Sequence, residues 1–284
     1  IILRRRGSIG IKKNKNIAVF LLASMPSICF FLILFSIAEG GYSFFDFIKN
    51  FSPVTILGKG TPSSSPMRRS IIRLGARAND VLNNPEWPSK WPFYPQDFSR
   101  QDETPDKMFY SEKRLVTHID DPAIAALTKY YGQEFKPGAD ILDICSSWIS
   151  HFPKDGKFGK TVGLGMNEYE LSQNKQLTSF DVQDLNLNPI LPYEENSLDY
   201  VTCADSVDYL TRPLEIFSEI SRVLRPGGKA IISQSNRCFP SKAINIWLNT
   251  SDLQHVFIIG AYFHYAGGFE PPESEDISPN PGRS

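Results

Sequence analysis

The sequence predicts an α/β protein built on a doubly wound, mostly parallel sheet, and three observations carry that expectation. From Asp140 to Tyr265, apolar β-branched runs alternate with helix-patterned segments, the pattern of parallel strands joined by crossover helices. Ile141, Leu142 and Ile144 form a short apolar run between Gly138 and a polar turn, which suits a strand covered on both faces. Leu214, Phe217, Ile220, Val223 and Leu224 recur at helical spacing and run into Arg225-Pro226-Gly227-Gly228, a helix stop that turns the chain into a further strand.

The elements follow in order. Asp121-Pro122 starts a helix, with Asp as cap and Pro in the first turn; Ile124, Leu127 and Tyr131 mark its buried face and Gly132 its end. Lys136-Pro137-Gly138 turns into the first strand, Asp140–Ile144. Thr161–Leu164 is the second strand, and Asn167 caps a helix over Glu168–Asn174. Ser179–Val182 and Leu198–Ala204 are the third and fourth strands, Pro213–Leu224 the amphipathic helix, and Lys229–Ser235 the fifth strand. Asp252–Tyr265 is a last helix, stopped by Gly267-Gly268. Gly268-Phe269-Glu270 begins a sixth strand, after which Pro271, Pro272, Pro279 and Pro281 exclude a central one. The fifth strand is therefore expected to carry an unpaired edge.

The segments before this domain have their own character. Residues 1–16 hold Arg4, Arg5, Arg6, Lys12, Lys13 and Lys15 and no acid. Ile17–Ala38 is uncharged and largely apolar, roughly long enough to cross a bilayer as a helix. It reads either as a signal peptide cut after Ser36-Ile37-Ala38 or as a retained signal anchor with its basic flank inside. Residues 47–79 contain Lys49, Lys59, Arg68, Arg69, Arg73 and Arg77 and no acid, a transit-like composition or a disordered linker. Such a pair of segments resembles the bipartite plastid leaders of algae with complex plastids, so the expected location is a membrane or the secretory route, with a plastid as destination. Asn84–Asp106 is rich in Pro, Trp and Phe and is expected to pack as an extended arm. The division is thus 1–38, 39–83, an arm and cap helix over 84–135, and the α/β domain over 136–284. The chain begins at Ile1 rather than Met and reads as a fragment.

Composition excludes several functions. Formal net charge is −1, so no global electrostatic case for nucleic acid exists. The 4 cysteines form no C-x-x-C pair and the 4 histidines have no metal spacing, so no metal site is expected. Gly163-Leu164-Gly165 lacks the third glycine of a dinucleotide fingerprint and follows the wrong strand.

The chemistry is expected at the carboxyl ends of the strands. Asp143 lies near the end of the first strand, but the turn after it, Cys145-Ser146-Ser147-Trp148-Ile149, contains no glycine. Glycine is the residue that normally lets a backbone approach a nucleotide closely. Asp205, Asp208 and Tyr209 follow the fourth strand and Asn236-Arg237 the fifth, and these polar groups are placed to face a substrate. His118 lies in the arm before the domain.

Leu191-Pro192-Tyr193, Ser197-Leu198-Asp199-Tyr200-Val201 and Glu219-Ile220-Ser221-Arg222-Val223-Leu224-Arg225-Pro226-Gly227-Gly228 resemble the class I S-adenosylmethionine-dependent methyltransferases of the small-molecule type. The resemblance extends over about Lys136 to Phe269, and the wording S-S-W-I-S-H-F-P is similar to an uncharacterised plant, algal and cyanobacterial subgroup. It implies a Rossmann-like sheet of order 3-2-1-4-5-7-6, with the seventh strand missing from this chain, and S-adenosyl-L-methionine as cofactor. The resemblance assigns Asp143 to the acid of the first glycine motif, with Ser146 and Ser147 as substitute donors to the cofactor carboxylate, or Trp148 and Ile149 filling that space. It places Gly165 where the family has an acid for the ribose, a task left to Asn167 or Glu168, unless Asn167 is only a helix cap. Asp184 matches the acid that accepts from the adenine amino group, with Leu185 offering its backbone N–H, and Cys203 borders the methionine.

Two functions follow. One is a methyltransferase acting on a small or lipid-like acceptor, with Asp205 or Asp208 as base where the acceptor carries a proton and His118, Tyr209, Asn236 and Arg237 toward the substrate. The other is a methyltransferase-fold protein without catalysis that binds a metabolite or protein partner, as the glycine-free turn and Gly165 suggest. Membrane attachment through Ile17–Ala38 is compatible with both.

Overall fold

The computed structural model of the protein describes residues 17–23 and 78–278. Among the described residues seven strands form one sheet: β1 Ile17–Ala23, β2 Ile141–Ile144, β3 Thr161–Gly165, β4 Ser179–Val182, β5 Leu198–Ala204, β6 Leu224–Ser235 and β7 Glu273–Asp276. Their order across the sheet is β4-β3-β2-β5-β6-β1-β7, and every pairing is parallel. The helices are α1 Asp106–Phe109, α2 Asp121–Glu134, α3 Glu168–Gln173, α4 Pro213–Val223, α5 Asn245–Leu248 and α6 Asp252–Ala266.

The period of two along each central strand sends alternate side chains to opposite faces. Ile141, Tyr200 and Ile231 pack with Leu127, Tyr131, Phe135 and Phe152 under α2. Leu142, Ile144, Val201, Cys203, Ala230 and Ile232 pack on the other face with Phe217, Ile220, Ile259 and Phe263 of α4 and α6. A sheet buried on both faces is what the near-continuous apolar strands require.

Several boundaries differ from the sequence reading for identifiable reasons. The cap of α2 is Asp120, whose side chain accepts from the N–H of Ala123 at 3.0 Å, and not Asp121. The helix runs through Gly132 to Glu134 because Tyr131 is fully buried and Phe135 stacks on it at 4.8 Å. The Arg225-Pro226-Gly227-Gly228 segment is a bulge within β6: Leu198 pairs Leu224, and Tyr200 already pairs Lys229. Gly227 sits at φ 83°, and a Cβ on Gly228 would approach the Asp199 carbonyl at 3.0 Å, so both glycines answer a steric demand.

The far edge departs most. Lys229–Ser235 carries no open edge, because Ile17–Ala23 pairs along it from Ile17↔Lys229 to Ala23↔Ser235. The outer edge of the sheet is Glu273–Asp276, which pairs with Ile17–Ala23 and lies beyond Gly268-Phe269-Glu270, where the sequence placed the start of a sixth strand. The first third of the apolar stretch is thus a strand rather than the opening of a helix; residues 24–38 and 39–77 lie outside the described residues. Among the described residues no helix is long and apolar enough to cross a membrane.

The arm over 84–120 is packed. Trp87 stacks on His264 at 4.9 Å, and Trp91 meets Tyr265 edge-on at 5.5 Å. Beyond it a buried ionic knot joins arm to domain. Arg100 Nη1 donates to both carboxylate oxygens of Asp106 at 2.7 Å. Lys242, with no exposed surface, lies 3.2 Å from Asp106 and 3.1 Å from Asp102, and donates to the Thr104 carbonyl at 2.7 Å. Removing one member of a buried ionic group strands the others. Lys242→Met is therefore expected to destabilise the fold by about 3–5 kcal/mol, read as a lower urea midpoint with unchanged slope, together with faster proteolysis within 100–118.

Candidate functional site

The sequence motifs converge on a cavity of about 300 Å³ at the carboxyl ends of β2, β3, β4 and β5. The turn after β2 supplies Cys145, Ser146 and Ser147; the end of β3 and the start of α3 supply Gly165, Asn167 and Glu170. Asp184, Leu185 and Asn186 follow β4, and Asp205, Ser206 and Tyr209 follow β5. Arg237 and Phe239 come from beyond β6, and Asp106, Tyr110, Arg114 and His118 from the arm.

The turn after β2 shows how a chain without glycines makes this corner. Cys145, which stands at the first glycine position of the resembled motif, keeps a left-handed backbone at φ 54°. For a residue with a Cβ that conformation costs about 1–2 kcal/mol. The close approach occurs instead at Gly165, where a Cβ would lie 2.1 Å from the Ser146 carbonyl oxygen. An acidic side chain at 165 is thus incompatible with this turn. Polar side chains hold the rest. Ser146 Oγ donates to Asp143 Oδ2 at 2.7 Å, Thr202 Oγ1 to Asp143 Oδ1 at 2.7 Å, and Ser147 Oγ to Glu170 Oε2 at 2.6 Å. Trp148 Nε1 donates to the Val116 carbonyl at 3.0 Å, so Trp148 ties the turn to the arm and does not fill the large cavity.

Each sequence candidate has a definite place. Ser146, Ser147, Asn167, Asp184, Leu185, Asp205, Tyr209, Arg237 and His118 line the cavity. Asp143 lies beneath the turn with both oxygens engaged; burial raises its pKa against the hydrogen bonds from serine and threonine that lower it. Asn167 is a cap, accepting from the Glu170 N–H at 3.1 Å, and also donates to the Tyr110 carbonyl at 2.8 Å. Asp184 Oδ1 accepts from the Asn186 N–H at 2.9 Å. Tyr209 Oη accepts from the Phe239 N–H at 2.8 Å.

Besides Asp143, four candidates stand outside the cavity lining. Glu168 is exposed on the first turn of α3; the residue that turns inward there is Glu170, two positions on, which also accepts from the Arg114 N–H at 2.6 Å. Cys203 points to the opposite face of the sheet with Ile144, as the strand period dictates, and its thiol is held far above the usual range by a hydrogen bond with Cys145 and by burial. Asp208 is buried behind the cavity and outside its lining; burial and the neighbouring Asp205 push its pKa up. Asn236 is exposed beyond β6. The sequence reading missed Glu170, Tyr110, Arg114, Asn186 and Phe239. An acid three residues after a helix cap was the one available signal, for Glu170; the arm residues had none.

Asp205 is a strained and perturbed carboxyl of the lining. Its backbone is left-handed at φ 46°, its Oδ1 is buried with no hydrogen-bond partner among the described residues, and burial raises its pKa to about 7. His118 sits edge-on to Phe239 at 5.4 Å, and burial lowers its pKa.

Residues 146–232 match the family described as a methyltransferase domain. A demethylmenaquinone methyltransferase of Bacillus cereus is 34% identical over 113 residues, 37% of this chain and 48% of the relative. The chain therefore spans about half the length of the curated relatives it matches. Among solved structures, a Haemonchus contortus phosphoethanolamine N-methyltransferase bound to phosphomonomethylethanolamine and S-adenosylhomocysteine is 26% identical, covering 39% of this chain and 27% of its own, with a TM-score of 0.31. A geranyl diphosphate C-methyltransferase of Streptomyces coelicolor is 13% identical over 38% of this chain and 46% of its own, with a TM-score of 0.31.

Two stability outcomes follow from the strained corners. Cys145→Gly relieves the left-handed backbone while losing a half-buried thiol, and is expected within about 1 kcal/mol of the parent; Cys145→Val should lose about 2–3 kcal/mol in urea unfolding, because a β-branched residue resists that backbone. The second concerns pH. A carboxyl raised from its ordinary range to about 7 in the fold holds its proton more tightly folded than unfolded. It therefore lowers stability as pH rises from about 4 to about 7 and adds no further slope above. Asp205→Asn should flatten that decline, leaving the variant about 1–3 kcal/mol more stable than the parent at pH 8 relative to pH 4.

Proposed function

We infer that this chain, which carries a class I S-adenosylmethionine-dependent methyltransferase domain, moves a methyl group from S-adenosyl-L-methionine to a small-molecule acceptor. The observation that carries this reading is the cavity itself. It lies where an open α/β sheet binds ligands, its volume is of the order of a small-molecule site, and Asp205 Oδ1 stands buried there without a hydrogen-bond partner among the described residues. Asp184 and the Leu185 N–H after β4 would hold the adenine, and Ser146, Ser147 and Asp205 would border the amino-acid end. The bound cofactor supplies an already electrophilic methyl carbon. The protein's tasks are then to orient the acceptor and exclude water; Tyr110, Arg114, His118 and Phe239 wall the side opposite the strands.

The relative's name supports an acceptor of low molecular mass. A lipid-like acceptor has separate support. Met108, Leu115, Val116 and Leu187 are large apolar side chains exposed on segments that adjoin the cavity lining, where an apolar acceptor could meet them. The non-catalytic reading is favoured by one observation: the Ser146 carbonyl occupies the space over Gly165, and the polar atoms of Asn167 and Glu170 are engaged within the protein.

Calorimetry with S-adenosylhomocysteine separates the two. Saturable binding is expected, with Asp184→Ala weakening it by about 1–3 kcal/mol, the loss of a charged hydrogen bond. No heat and no thermal shift at about 1 mM ligand, a concentration that samples affinities as weak as about −4 kcal/mol, would establish the non-catalytic reading instead.

A further inference from the structure

A second, smaller chamber of about 80 Å³ lies between the arm and the turn after β2. His118, Cys145, Ser146, Ser147, Asp205 and Ser206 line both it and the large cavity. Its remaining wall includes Trp148, His151, Asp143 and Ala204.

Two independent features converge on this chamber. Among the described residues, the non-glycine positions with positive φ are Cys145 at 54°, His151 at 58°, Asp205 at 46° and Asn196 at 55°. All but Asn196 line the chamber. Left-handed backbone at residues with a Cβ costs about 1–3 kcal/mol each and gathers where function holds it. The second feature is unmet polarity. His151 Nδ1 and Asp205 Oδ1 are both buried without a hydrogen-bond partner among the described residues, although buried polar groups are almost always paired. His151 is fixed from behind, its carbonyl accepting from Thr128 Oγ1 at 2.9 Å.

The charge state of the walls defines what fits. Burial, then His118, lowers the pKa of His151 to about 4, and burial lowers that of His118, so both imidazoles are neutral near pH 7. The lining contains no lysine or arginine. Nothing there compensates an anionic head. What the walls offer is one donor and one acceptor nitrogen on each neutral imidazole, and the Asp205 carboxyl, a set that matches a hydroxyl group, itself both donor and acceptor.

We propose that this chamber receives the hydroxyl head of the methyl acceptor, with Asp205 taking the proton and His151 orienting the oxygen. This rests on the methyltransferase reading. As the O–H bond breaks its proton passes to Asp205, the oxygen forms its bond to the methyl carbon, and the pair of the breaking carbon–sulfur bond stays on sulfur. The acceptor class is then an alcohol or phenol, not a carbon nucleophile, a carboxylate or an ammonium.

The test uses the full chain with ring-labelled histidine and three probes of similar body, phenol, benzoate and benzylamine, titrated at pH 7.5 with and without S-adenosylhomocysteine. Phenol is expected to shift the His151 and His118 ring resonances and to bind at least tenfold more tightly than the other two. His151→Asn, a residue that tolerates the left-handed backbone, should abolish that preference and leave S-adenosylhomocysteine affinity within twofold; His151→Phe serves as a second variant. Tighter binding of benzoate or benzylamine, or no response to any probe, overturns the proposal. So does a His151→Asn variant that loses S-adenosylhomocysteine, since the chamber would then belong to the cofactor. Failure of S-adenosylhomocysteine to bind the parent chain, with phenol still perturbing His151, defeats the methyltransferase reading while leaving the hydroxyl site standing.

Discussion

The cavity exists because the Asp106 carboxylate is held in place. It is buried at the start of α1, takes two hydrogen bonds from Arg100, lies beside the fully buried Lys242, and accepts from Asn186 Nδ2 at 2.9 Å. One group thus joins the arm, the segment after β6 and the loop after β4. Without it, the arm keeps the hydrogen bonds that tie Arg114, Tyr110 and Val116 to Glu170, Asn167 and Trp148, but the wall over the strand ends loosens. Charged hydrogen bonds in a dry environment gain most when their members are satisfied; here Lys242 is met by Asp102 and backbone carbonyls, while Arg100 Nε lies 3.5 Å from Glu103 with no hydrogen-bond partner among the described residues. Burial pushes the Asp106 pKa up, and Arg100, Asn186 and Lys242 more than reverse it. The carboxylate is therefore ionised at neutral pH, as its role demands.

The domain between Asp140 and Ser235 was legible because its signals are local. Apolar runs of Ile, Leu and Val bounded by turn residues declare strands, and the Leu214–Val223 face declares a helix. What escaped depends on contacts distant in sequence. Asp120 outcompetes Asp121 as a cap because of where Pro122 and Ala123 fall. The inward turn of Glu170 depends on Arg114 and Ser147, partners many residues away. For the site, the strand-end positions were readable and the facing was only partly so. Cys203 reads from sequence as bordering the ligand although the strand period puts it opposite Thr202, and Asp208 reads as a base facing the acceptor although it follows Val207 into the core.

The glycine-free turn shows why a motif and a geometry must be kept apart. The backbone that glycine would adopt is present at Cys145, and the backbone proximity that glycine would permit is present at Gly165, one strand over. Serine, asparagine and glutamate side chains supply the rigidity: Asn174 Nδ2 donates to the Ser147 carbonyl at 2.9 Å and Ser147 to Glu170. A pattern search on the turn sees degeneration, whereas the folded chain shows a redistributed steric arrangement.

The pairing of Ile17–Ala23 with Lys229–Ser235 sets a schedule for the nascent chain. The partners are separated by about 200 residues, so the contact is among the most non-local that this topology contains. At a synthesis rate of about 5–20 residues per second, on the order of 10–40 s pass between emergence of the first strand and that of its neighbour. During that interval an uncharged apolar segment with a basic flank is available to any other binder. A chaperone, a bilayer or a targeting receptor that captures it first leaves β6 to fold without its neighbour. The segment can pair with one partner at a time, so β6 gains its neighbour only if that segment stays free until Lys229–Ser235 has been made.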